Sequence, residues 1–96
     1  MFADDLHRHK DEIERTAVAF GARRIRVFGS VARGEDKADS DIDFLVDFPE
    51  GYDMFAQRLP LMEKLSQLTG RQVDLIPEHE LSAHIRDRVL REARDL

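Results

Sequence analysis

With 96 residues the chain has room for one compact domain around one modest core. It contains no cysteine, which excludes disulfides, cysteine-based zinc sites and a thiol nucleophile. A net charge of -5 argues against a protein that coats nucleic acid, so a phosphate-rich ligand would require local cations or carboxylate-held metal ions.

In chain order, Leu6, Ile13, Ala17 and Phe20 share a stripe at helical spacing and predict a first helix from about Asp4 to Phe20, closed by Gly21. Ile25, Val27 and Phe28 read as a strand with Arg24 and Arg26 on its other face, ended by Gly29-Ser30. Residues 31–34 allow a turn or two of helix, and 35–40 form a polar loop. From Asp41 to Phe48 the pattern alternates: Ile42, Phe44, Val46 and Phe48 face the core, and Asp41, Asp43, Leu45 and Asp47 face away. Asp53 to Thr69 is helical in pattern, with Pro60 predicting a kink or a restart. A short strand over Gln72 to Ile76 ends at Pro77, and Leu81, Ile85, Val89 and Ala93 mark a last helix over about Glu80 to Arg94. This alternation predicts an α/β (α+β) domain spanning 1–96, a small β-sheet with helices packed on it.

Aspartate is unfavourable in strands, because its short polar side chain competes with the backbone. Asp41 and Asp43 nevertheless sit in the clearest strand, on one face and roughly 6.6 Å apart at about 3.3 Å rise per residue. Asp74, between Val73 and Leu75, joins them if the two strands are neighbours. Such a patch is self-repelling unless a cation sits in it, and three carboxylates suit Mg²⁺, which shares its shell between carboxylates, water and substrate phosphates. Two such ions stabilise both the attacking and the leaving oxygen of a displacement at phosphorus. An Asp-x-Asp pair by itself more often marks a solvated strand edge or a helix cap, and Asp47, on the same face, reads as surface or salt bridge.

The neighbourhood adds weight. Gly29 permits close approach of the backbone to a ligand, the Ser30 hydroxyl can donate to a phosphate oxygen, and Arg33 can reach the same phosphates about one turn later. The bland alternative is that Ser30 caps a helix. Neither a Walker-type loop nor a Gly-x-Gly-x-x-Gly motif is present.

Taken together, Gly29-Ser30-Val31-Ala32-Arg33-Gly34-Glu35, Ser40-Asp41-Ile42-Asp43-Phe44-Leu45-Val46 and Val73-Asp74-Leu75 resemble the minimal nucleotidyltransferase family of the polymerase-beta-like nucleotidyltransferase superfamily. The resemblance covers nearly the whole chain, including the preceding helix and the ending Val89-Leu90-Arg91-Glu92-Ala93. It implies a small mixed sheet, with Asp41 and Asp43 as metal ligands. Asp74 is implied as a further ligand that helps deprotonate the attacking hydroxyl. Gly29 and Ser30 would hold the triphosphate, and Arg33 as a phosphate contact is a looser transfer. The implied chemistry is Mg²⁺-dependent transfer of AMP from ATP to an acceptor hydroxyl on a protein. Minimal members often act as the antitoxin of a toxin–antitoxin pair, beside a helical HEPN toxin. Members with added acceptor-binding domains, such as DNA polymerases and antibiotic-modifying enzymes, fit this short chain poorly.

Several other residues read as structural. His7, His9, His79 and His84 lack the i, i+4 spacing of a helical metal pair. Arg86, Arg88, Arg91 and Arg94 alternate with Asp87, Glu92 and Asp95, the pattern of a solvated helix face. Tyr52 and Phe55 read as packing or exposed residues rather than a base-binding pair, and Phe2 and Leu96 as candidates for a partner contact. The segment 1–15 is charged and there is no long apolar run, so a soluble cytoplasmic protein is expected. Two further functions compete with the enzyme. One is a binding module that neutralises a helical partner by occlusion. The other is nucleic-acid binding, which the negative charge opposes.

Overall fold

A computed structural model of the protein describes residues 6–96. The elements are α1 (Lys10–Ala19), β1 (Ile25–Phe28), α2 (Gly29–Arg33), β2 (Ile42–Val46), α3 (Leu59–Thr69), β3 (Val73–Pro77) and α4 (Ala83–Glu92). A π-helical turn, Met54–Arg58, leads into α3, and a 3₁₀ turn, Glu78–Glu80, precedes α4. Within the predicted first helix, residues 6–8 are helical, His9 interrupts and Lys10–Ala19 continues, while Phe2 and the expected start at Asp4 lie outside the described residues.

The three strands form one mixed sheet in the order β1-β2-β3. β1 and β2 are antiparallel, whereas β2 and β3 are parallel and are linked through α3. Register sets which residues share a face. Val27, Phe44 and Leu75 lie side by side in one row, and Phe28, Asp43 and Asp74 in the next. Because successive side chains alternate, the first row points into the core and the second away from it.

On the core face Ile25, Val27, Ile42, Phe44, Val46 and Leu75 meet Ile13 and Ala17 of α1 and Leu61 and Leu65 of α3 in one buried cluster. Pro60 falls in the first turn of α3, where its missing N–H breaks no helical bond. The restart there follows a widened turn in which the Arg58 N–H reaches back to the Asp53 carbonyl at 3.3 Å. Gly70 ends α3 in the left-handed conformation.

The opposite face is only partly covered. Leu45 is buried on it, although the alternation put it outward with the aspartates. Of the apolar stripe on the last helix, Val89 is buried but Ile85 is exposed. The helix is also shorter than the pattern suggests, because Glu78–Glu80 forms its own turn and Ala93 is already extended. Beyond it, Arg94 pairs with Val27 on β1, with N–H···O distances of 2.9 and 2.8 Å. Leu96 is buried against this chain's own core, which corrects its reading as a partner contact. No described helix is long and apolar enough to cross a membrane.

Candidate active site

A cleft of about 630 Å³ opens between the uncovered sheet face and α4, and its lining includes Gly29, Ser30, Arg33, Asp43, Asp74 and Glu92. Asp43 and Asp74 come together because β2 and β3 are parallel neighbours with these two residues in direct register. Phe28 is the antiparallel partner of Asp43, so the Gly-Ser turn that follows it begins beside the same carboxylate. Asp41 lies one residue before β2, exposed and outside the cleft lining. It still acts on Asp43 electrostatically.

The Asp43 carboxyl holds its proton more tightly than an ordinary aspartate. Burial is the main cause, followed by repulsion from Asp74 and then Asp41, with Arg33 opposing. This is the electrostatic signature of an acid patch short of positive charge. Among the described residues no three His, Cys, Asp or Glu side chains converge closely enough to cage a metal by themselves. Mg²⁺ ordinarily takes one or two carboxylates and completes its shell with water and substrate phosphates. The donor set therefore fits an ion shared with a phosphate ligand.

Gly29 is required by geometry. Its φ is +74°, in the left-handed region, and a Cβ there would overlap Asp43 Oδ2 and lie 3.0 Å from Asp43 Cγ. The bare backbone thus makes room for the carboxylate. Ser30 is not a cap: α2 begins at Gly29, its N-cap is Phe28, and no side chain caps it. Ser30 sits inside the short helix and contributes to the cleft wall.

Arg33 is exposed and already engaged. Its Nε donates to Glu35 at 2.8 Å and its Nη1 to Glu92 at 2.6 Å. The other Glu92 oxygen accepts the Gly29 N–H at 2.8 Å. Burial raises the proton affinity of Glu92, but the bonds from Arg33 and Gly29 outweigh it and hold the carboxyl below the usual glutamate range. Glu92 and Arg88 both line the cleft, which corrects the reading of their helix face as merely solvated. The charge alternation of the last helix masked them. The only sequence signal was their i, i+4 spacing with each other and their offset from Val89.

The loop before Asp41 is held by Arg71, which donates to the Ser40 carbonyl at 2.8 Å and the Lys37 carbonyl at 2.8 Å. The Ser40 hydroxyl in turn accepts the Lys37 N–H at 2.7 Å. Sequence reasoning did not single out Arg71, because nothing local marks it. The residues read as structural behave so: all four histidines are exposed and Asp47 pairs with Arg23 at 3.0 Å. Tyr52 stacks on Phe48 at 4.9 Å, while Phe55 is 80% exposed.

Carboxylates paired across two neighbouring strands, a glycine-serine turn abutting one of them and the cleft they line make up the candidate active site. The chain matches the nucleotidyltransferase domain family over residues 6–96 and belongs to that family. It is 45% identical over 87 residues to the protein adenylyltransferase MntA of Thermococcus cleftensis, a match covering 91% of this chain and 84% of that protein. A structure described as a minimal nucleotidyltransferase superposes with a TM-score of 0.87 at 41% identity, covering 100% of this chain and 97% of the other. A toxin–antitoxin crystal structure with AMP-PNP shares the fold, with a TM-score of 0.75 and 24% identity over 88% of this chain and 69% of that one.

Proposed function

We propose that this nucleotidyltransferase, acting as a single domain over 1–96, transfers AMP from ATP to a hydroxyl group on a partner protein, and that it thereby serves as the antitoxin to a helical HEPN-type toxin in the cytoplasm. The observation that carries the reading is the register of Asp43 with Asp74 beside the Gly29 turn, at the floor of the cleft. Similarity to a protein adenylyltransferase named MntA supports the choice of AMP and of a protein acceptor. The shared fold of a toxin–antitoxin structure containing AMP-PNP is in keeping with the partner.

In this reading Asp41, Asp43 and Asp74 hold Mg²⁺, which when bound neutralises charge on the phosphates. Gly29 and Ser30 hold the triphosphate, and Arg33 contacts it. The acceptor oxygen attacks the α-phosphorus, the bond to the β-phosphate oxygen breaks, and pyrophosphate leaves. The acceptor proton passes to Asp74 or to solvent. The protein's contribution is positioning and charge stabilisation.

The test is calorimetric titration with ATP, with and without Mg²⁺, on the wild-type protein and Asp43→Asn. Mg²⁺-dependent binding that vanishes in Asp43→Asn is the expected result. Equal binding by both proteins would remove Asp43 from the site. A second reading, neutralisation of the partner by occlusion alone, is favoured by the exposed Phe55, Met54 and Leu59 at the start of α3. Under that reading Asp43→Asn retains full neutralisation of the toxin, whereas the catalytic reading requires its loss.

A further inference from the structure

Glu92 is the last residue of α4, and its two carboxylate oxygens are divided between the Gly29 N–H at 2.8 Å and Arg33 Nη1 at 2.6 Å. These donors belong to the Gly-Ser turn and to the arginine assigned above to the triphosphate. A carboxylate bridging a backbone amide and a guanidinium makes the same charge-assisted hydrogen bonds as two non-bridging phosphate oxygens. We propose that Glu92 is an internal anion occupying the phosphate position of the nucleotide site, and that the phosphate of an incoming nucleotide displaces it. The inference rests on the nucleotide reading of the cleft.

Three observations support displacement over a fixed scaffold. First, the backbone beside Glu92 is pinned independently, because Arg94 exchanges both hydrogen bonds with Val27. The side chain can therefore turn while the helix end stays in place. Second, a landing site is close by. Arg88 precedes Glu92 by one helical turn, lines the same cleft and already attracts it electrostatically. Third, Glu92 adds to the negative field at Asp43, on top of that from Asp74 and Asp41. A polyphosphate entering the cleft meets less repulsion once this carboxylate has moved away.

The decisive variant is Glu92→Gln, which keeps the size and a carbonyl acceptor for Gly29 but removes the charge. Wild-type protein and variant are titrated calorimetrically with Mg²⁺-ATP and with tripolyphosphate, a probe that has no base or sugar. The expected result is binding about tenfold tighter in Glu92→Gln for both ligands, since a charge-assisted bond no longer has to be broken. Equal or weaker binding by a variant that melts at the wild-type temperature would overturn the inference and leave Glu92 as a scaffold for the turn.

If the variant fails to fold, the Glu92 side-chain carboxyl carbon is followed by NMR in the wild-type protein during ATP titration. Movement of that resonance together with the Gly29 amide supports displacement, and a stationary signal at saturation overturns it. Failure of the nucleotide reading looks different: neither wild-type protein nor Glu92→Gln then binds ATP or tripolyphosphate, and both ideas fall together.

Discussion

Gly29→Ala probes the link between fold and site most directly. The residue occupies the left-handed region at φ +74°, which costs a non-glycine residue about 1–2 kcal/mol. The added Cβ would also overlap Asp43 Oδ2 and lie 3.0 Å from Cγ. Asp43 sits in the central strand, between Phe28 and Asp74, so its backbone cannot retreat. Its side chain must leave its preferred rotamer, at a cost of about 1 kcal/mol. The sum is about 2–3 kcal/mol, or a drop of about 8–24 °C in melting temperature at roughly 4–8 °C per kcal/mol for a domain of this size. Thermal and urea unfolding followed by circular dichroism measure it. Asp43→Ala supplies the control, because only the Asp43 Cβ then stays near the new methyl, at 3.3 Å. Gly29→Ala should cost about 1 kcal/mol less in that background, a coupling large enough for a double-mutant cycle to resolve. Additive effects within about 0.3 kcal/mol would refute the idea that glycine is needed there to accommodate the carboxylate.

Asp43→Asn should raise metal-free stability at neutral pH while abolishing transfer; unfolding of the variant would mean that the acid is structural. The sign follows from the raised proton affinity of Asp43 in the fold, due first to burial and then to Asp74 and Asp41. The native state binds the proton more tightly than the unfolded chain, so wild-type stability falls as pH rises from the ordinary aspartate range through the elevated native value. The advantage of Asp43→Asn should therefore be full above that window, shrink as pH falls through it and be gone below about 4, read as melting temperature against pH. Asp53→Ala removes an oxygen that accepts both the Phe55 and Ala56 N–H groups at 2.8 Å, and should cost about 1 kcal/mol in urea unfolding with ATP affinity unchanged.

Much of the fold could be read from the chain alone. Strict alternation through Ile42, Phe44, Val46 and Phe48 identifies β2 and its buried face, since a period of two has one interpretation in a strand. The 3.6-residue stripe of Ile13 and Ala17 and the placement of Pro60 identify helices by equally local physics. An aspartate inside β2 at Asp43 and the Gly-Ser turn were legible because each is locally unfavourable, and such residues call for a functional explanation; Asp41, expected in the same strand, lies one residue before it.

What the tertiary structure alone decided is which distant residues meet. Strand neighbours and register are set by pairing across the sheet, so only the parallel alignment of β2 with β3 puts Asp74 opposite Asp43 rather than Phe44. Helix amphipathicity does not say whether an apolar stripe faces a core or a cleft, and α4 takes the cleft because Leu45 and Val89 bury only part of that sheet face. Glu92 was unreadable for the same reason. Its partners Gly29 and Arg33 lie 63 and 59 residues away, and a contact at that separation has no local pattern from which to infer it.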